Sequence, residues 1–147
     1  MIKKGEEPVF QLYSKGCEYA IKALVQMRDP IQNYSAREIC KRAHIPESFS
    51  RKVFQSLVRG NFLEAITGPG GGYRLCTHPE KISILDIVRA VDGQRAFDHC
   101  VMGLSKCGEK SPCLLHYSWL KAKASLISQL ESKKLQDLID EQKRKKQ

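Results

Sequence analysis

Long apolar runs are missing from this chain. No stretch approaches ~18 consecutive apolar residues, so no segment reads as a membrane-spanning helix. The opening MIKKGEEPVF is basic but lacks the apolar middle of a secretory signal, and the expected location is therefore cytoplasmic. Thiols are normally reduced there, which weakens a disulfide reading of the six cysteines. No catalytic triad, paired acid/base carboxylates or nucleotide motif stands out, so no enzyme is expected. The glycine run GPGGGY (68–73) lacks the Lys-Ser/Thr of a phosphate-binding loop, and no helix opens directly after it. No internal repeat is visible, and 147 residues suit one domain with one or two added elements.

What the chain has in excess is positive charge, a formal net +9. Such a field draws polyanions, nucleic acid first. Four of the charges lie in the tail QKRKKQ (142–147), which also reads as a solvated end.

Periodicity predicts a mainly α fold with a small β-hairpin wing. Tyr19, Ala20, Ala23, Leu24 and Met27 mark a first helix with Ser14 as its N-cap, and Pro30 with Asp29 and Asn33 breaks it. Ser35 and Glu38 have the spacing of a capping box at the head of a short helix in 34–45. After a very short turn a helix over 46–62 follows. Its expected cap is Ser48, its expected buried stripe Phe49, Val53, Phe54 and Leu57, and its end Gly60. Leu63–Ile66 and Tyr73–Cys76 read as strands joined by TGPGGG, a turn that needs its glycines. Residues 78–93 read as a further helix with Ser83 near its start, 96–114 as a cysteine-bearing loop, and Leu115 to about Leu138 as one long amphipathic helix.

Helix, short turn, helix and glycine-tipped hairpin is the order of a winged helix-turn-helix. The second helix of such a unit enters the major groove, and the wing lies along phosphate or the minor groove. Ser48, Ser50, Arg51, Lys52 and Gln55 are the candidates for base edges. Arg59, Arg74, Lys41 and Arg42 are candidates for phosphate, and Ser35 with the wing-tip residues Thr67, Gly68 and Gly70 completes the surface. The plainer alternative is an α+β domain whose charges face water; the hairpin's position and the net charge favour DNA.

Cys100, Cys107 and Cys113 form C-x6-C-x5-C. Structural zinc sites show tighter C-x2–4-C pairs. The wider spacing, in a loop with glycines and Pro112, suits a larger cluster ligated from several directions; soft thiolates favour iron–sulfur or zinc. A fourth ligand is needed, and His116, Glu18 of the partner subunit and, less readily, His99 are candidates. Redox-active thiols remain an alternative for the triplet. Cys17, Cys40 and Cys76 read as small buried hydrophobes.

SKGCEYAIKAL (14–24), GPGGGYRL (68–75), ISILDIVRAVDG (82–93) and the cysteine run together resemble the bacterial iron–sulfur winged helix-turn-helix regulators of the IscR, NsrR and RirA type, over roughly residues 11–140. The resemblance implies a winged domain (10–93), a cluster-binding loop (94–114) and a carboxy-terminal dimerisation helix with its tail (115–140). It further implies a homodimer on a double-stranded DNA operator, with iron–sulfur assembly machinery as cluster source. The cluster, [2Fe-2S] or [4Fe-4S], would sit on Cys100, Cys107 and Cys113. IscR-like members place a histidine where His116 stands; NsrR-like members reach across with an acidic residue placed like Glu18. The implied function is transcriptional repression controlled by iron or cluster supply, nitric oxide or oxidant. The first cysteine spacing is one residue longer than the commonest form, Arg51 stands where IscR-like members carry a glutamate, and Thr67 stands where an arginine is common. Operator sequence is therefore not carried over. A zinc- or thiol-based regulator and an iron–sulfur electron-transfer protein are the alternative readings.

Overall fold

A computed structural model of the chain describes residues 12–102, 110 and 112–146. Helix α1 (Lys15–Gln26) is capped as its sequence predicts, with the Ser14 side chain accepting from the Cys17 amide at 3.1 Å. Helix α2 (Ala36–Ala43) opens on Ser35, whose hydroxyl accepts from the Glu38 amide at 3.1 Å. The Glu38 carboxylate pairs with Arg42 at 2.8 Å.

Helix α3 (Glu47–Arg59) departs from expectation in two ways. Its N-cap is Pro46, whose backbone already holds the extended entry, so Ser48 falls within the first turn and no side chain caps the helix. Its buried stripe runs through Ser50, Val53, Phe54 and Leu57, the i, i+3, i+4, i+7 set. Phe49 is 44% exposed, while Ser50 is only 3% exposed. The Ser50 hydroxyl donates to the Glu47 carbonyl at 2.7 Å, which makes a polar side chain tolerable at a core position.

Strands β1 (Leu63–Ile66) and β2 (Gly72–Leu75) form the antiparallel wing, with Leu63 opposite Leu75 and Ile66 opposite Gly72. β2 is shifted by one residue from the predicted Tyr73–Cys76. Tyr34 adds a single-residue bridge to its outer side: the Tyr34 amide donates to the Tyr73 carbonyl at 2.8 Å, and the Tyr73 amide to the Tyr34 carbonyl at 2.7 Å. That approach requires a glycine next door. A β-carbon on Gly72, at φ +145°, would stand 2.2 Å from the Tyr34 carbonyl oxygen.

The helix expected over 78–93 is shorter. A 3-10 turn (Pro79–Lys81) precedes α4 (Ile84–Asp92), which opens on a full capping box between Ser83 and Asp86. Between them the backbone at Ile82 is extended, because it pairs with a later segment. The Ile84 amide donates to the Lys133 carbonyl at 3.0 Å, and the Leu135 amide to the Ile82 carbonyl at 2.8 Å.

This pairing also breaks the long helix predicted from Leu115 to Leu138. Two helices form instead, α5 (His116–Ser132) and α6 (Leu135–Lys145), with Lys133 and Lys134 extended between them. The Lys134 amide donates to the Asp137 carboxylate at 2.8 Å, which starts α6. The basic tail is therefore helical through Lys145.

Leu135 and Ile139, at 0% and 1% exposure, join the main core with Leu24, Met27, Ile39, Phe54 and Leu57. Leu135→Ala is accordingly expected to destabilise the chain by about 2–5 kcal/mol. A thermal or denaturant midpoint unchanged from wild type would show that α6 is not part of that core. A second, smaller cluster of Cys17, Leu85, Val88 and Phe97 joins α1 and α4 to the first limb of the cysteine loop. Among the described residues no helix is long and apolar enough to cross a membrane.

Candidate DNA-reading surface and cysteine centre

The turn between α2 and α3 is made by His44, in the left-handed region at φ 55°, with its amide bonded back to Cys40. It brings Ile45 (6% exposed) into the core and leaves the first turns of α3 facing outward. Ser48, Arg51, Lys52 and Gln55 are exposed there, and Arg59 is exposed at the helix end, as a groove-reading helix requires. Ser50 is not with them: the expectation of an exposed serine is corrected by its place in the stripe.

Lys41 and Ser35 are exposed on α2 and its entry. The cations expected on phosphate differ in their present partners. Arg42 pairs with Glu38 and Arg74 with its cross-strand neighbour Glu64, each at 2.8 Å, so a phosphate would have to displace a carboxylate at either. Arg59 donates to the Ser56 hydroxyl at 3.3 Å and, among the described residues, pairs with no carboxylate. Thr67, Gly68 and Gly70 lie exposed at the wing tip, the two glycines at φ +87° and +74°.

At the other end of α4, Gly93 opens the loop. Cys100 is 6% exposed and Cys113 half-buried, with 3.6 Å between their sulfurs. Cys107 lies outside the described residues. Two sulfurs on one tetrahedral metal, each bonded at about 2.3 Å, stand ~3.8 Å apart, so this pair fits a shared metal without rearrangement. His116, at the start of α5, is 2% exposed, and its amide donates to the Cys113 carbonyl at 3.1 Å. Among the described residues no three or more His, Cys, Asp or Glu side chains gather as a metal site.

The loop is anchored from α5 by residues that the sequence did not single out for that task. The Trp119 indole N–H donates to the His99 carbonyl at 3.1 Å, and the Lys123 ammonium to the Phe97 carbonyl at 3.1 Å. Both bonds hold backbone just before Cys100. The one hint available was Trp119 as the chain's single tryptophan.

Glu18 faces outward on α1, bonded to Lys22 at 2.9 Å and Lys15 at 3.1 Å. Those lysines, Lys22 foremost, hold its carboxyl below the usual range, so it is ionised and available as an anion. Its neighbour Cys17 is the opposite case. Burial, reinforced by the charge of Asp92, pushes that thiol up to about 12, which leaves it protonated and inert as a ligand. Cys40 is likewise buried, but Cys76 is exposed, with its thiol on the Asn61 carbonyl at 3.0 Å; the expectation of a buried Cys76 is corrected, because it follows the last residue of β2.

The sequence profile of the Rrf2 family, described as an iron-dependent transcriptional regulator, matches residues 13–141. The chain belongs to the Rrf2 family of transcriptional regulators. It is 30% identical to the regulator IscR of Cereibacter sphaeroides over 140 residues, covering 91% of this chain and 90% of that protein. It is 29% identical to IscR of Aliivibrio salmonicida over 131 residues, covering 88% and 77%. Among solved structures, CymR, the global cysteine regulator of B. subtilis, superposes with a TM-score of 0.73 at 19% identity, over 90% of this chain and 98% of that one. T. potens IscR superposes with a TM-score of 0.69 at 20% identity, over 93% and 88%. These likenesses establish the winged-helix fold expected from the sequence, and a DNA-binding regulator rather than an enzyme.

Proposed function

We propose that this Rrf2 regulator is a repressor whose grip on its operator is set by an iron–sulfur cluster on Cys100, Cys107 and Cys113. The observation that carries the reading is the 3.6 Å sulfur pair of Cys100 and Cys113, next to a buried histidine. Soft thiolates with one imidazole make a donor set suited to iron–sulfur ligation. His116 is the favoured fourth ligand, since it is buried one turn from Cys113, whereas Glu18 of the partner subunit would first have to leave two lysines. The cluster, when bound, supplies a centre reactive toward oxidant and nitric oxide.

The chain's own residues do the rest. Trp119 and Lys123 hold the backbone that leads into Cys100. Residues 10–93 read DNA, 94–114 carry the ligands, and 115–140 hold two copies together. Support for pairing comes from α5, which buries only His116 and Trp119 of its 17 residues within the chain. Leu120, Leu126, Ile127 and Leu130 remain partly exposed along it. Two chains would place two α3 helices on half-sites about one helical turn apart, ~34–36 Å.

The test is oxygen-free purification with iron and acid-labile sulfide assayed beside the visible spectrum. A coloured protein holding both is expected. A colourless protein with one zinc per chain would instead make this a zinc–thiolate regulator, and one with no metal after reconstitution would leave the cysteines to thiol chemistry.

A further inference from the structure

We propose that Ser14 and Asp92 form the clasp through which the cysteine loop sets the recognition helix α3. Their sequence positions give no hint of it, being 78 residues apart. The Asp92 carboxylate accepts from the Ser14 amide at 2.8 Å with one oxygen and from the Ser14 hydroxyl with the other. The same hydroxyl accepts from the Cys17 amide, so the entry of α1 is fixed by the last residue of α4. Directly after Asp92, Gly93 opens the cysteine loop, and Phe97 of that loop packs with Cys17, Leu85 and Val88. The start of α1, the end of α4 and the first limb of the loop are thus one unit.

On its other side this unit bears on α3. The Tyr19 ring meets the Phe49 ring edge-on, with centroids 5.4 Å apart. Gly16 of α1 faces both α4 and α3: a β-carbon there would stand 3.6 Å from Val91 and 3.7 Å from Phe49. Phe49 sits between Ser48 and the base-reading candidates Arg51 and Lys52. No side chain caps this end of α3, so Phe49 is its handle. Beside Phe49 is an open surface cleft of about 330 Å³, lined by Ser14, Gly16, Phe49, Lys52, Val53 and Asp92 among others. Val53, Phe54 and Leu57 keep the body of α3 in the core, so it is the first turn, beside this cleft, that the clasp can shift.

The proposal rests on the cluster reading for the signal that moves the loop, and on the geometry alone for the clasp. Its test separates the two. In the metal-free protein, Asp92→Asn and Ser14→Ala are expected to speed amide exchange at residues 48–52 by about tenfold, while Ser14→Thr stays at the wild-type rate. Asp92→Asn leaves the Ser14 cap on Cys17 in place, so it decides the matter should Ser14→Ala fold poorly. Exchange unchanged in Asp92→Asn overturns the clasp whether or not the protein takes up iron.

The second measurement uses a duplex selected from random-sequence DNA by the wild-type protein. Where wild type binds it with an affinity that depends on iron loading, Asp92→Asn is expected to bring the loaded and metal-free affinities within about twofold of each other, with the visible spectrum intact. Full retention of the wild-type ratio would overturn the proposal. A wild-type protein that takes up no iron fails the cluster reading, and the exchange result then decides the clasp by itself.

Discussion

Cys113→Ala is expected to strip the protein of iron and of any dependence of DNA binding on iron. Its sulfur is one of the pair 3.6 Å apart, and its carbonyl receives the amide of His116, so it touches two of the proposed ligands at once. Altering a group that merely orients a metal ligand costs about 10–100-fold in affinity, and loss of a ligand should exceed that range. Iron and sulfide per chain should therefore fall below about a tenth of the wild-type content. The winged domain should survive, since Cys113 is half-buried and lies outside both cores. Far-ultraviolet circular dichroism would register that survival. A variant that keeps its iron, or a wild type and variant that respond alike to reconstitution in a DNA-binding titration, would remove the cysteine centre from the function.

Gly72→Ala is expected to damage the wing severely. A side chain at φ +145° is strained, at a cost of about 1–3 kcal/mol. The new carbon would also fall 2.2 Å from the Tyr34 carbonyl oxygen, which is backbone and cannot swing aside. Relief requires the Tyr34–Tyr73 bridge to open, and each of its two hydrogen bonds contributes about 0.5–1.5 kcal/mol. The sum, roughly 2–6 kcal/mol, is comparable with the whole stability of a small domain. Tyr73 is packed on Phe54 at 4.8 Å between ring centroids, so the disturbance reaches the core beneath α3. Both the thermal midpoint and DNA affinity should drop. Gly70→Ala makes the control, since a β-carbon there meets nothing within 4 Å and only its φ of +74° counts against it. Equal losses from the two substitutions would show that the contact with Tyr34 does not matter.

The order of elements was legible in the sequence because caps and glycines are local signals. Ser14, Ser35 and Ser83 each cap the helix they precede, and each bond spans three residues. What was not legible depends on distant partners. Phe49 looks like the more apolar choice for the stripe of α3, and only the packing angle of that helix puts Ser50 inward instead. The break at Lys133 and Lys134 has no proline or glycine to announce it; it exists because Ser83, about fifty residues earlier, offers a backbone edge. The cysteine triplet was visible by spacing. Its anchoring by Trp119 and Lys123 was not, because the two donors reach carbonyls 20 and 26 positions back in the chain.

The bridge between Ser83 and Lys134 has a consequence for how such a protein can diversify. Between those ends α4 stays in the core, while the chain from Gly93 through α5 makes an excursion whose point of return is already joined to the start of α4. An excursion of that kind can be lengthened, re-spaced or given different ligands while its points of departure and return stay fixed. A change in the spacing between Cys100 and Cys107 would fall within that excursion and, on the clasp proposed above, would reach α3 through Ser14 and Asp92.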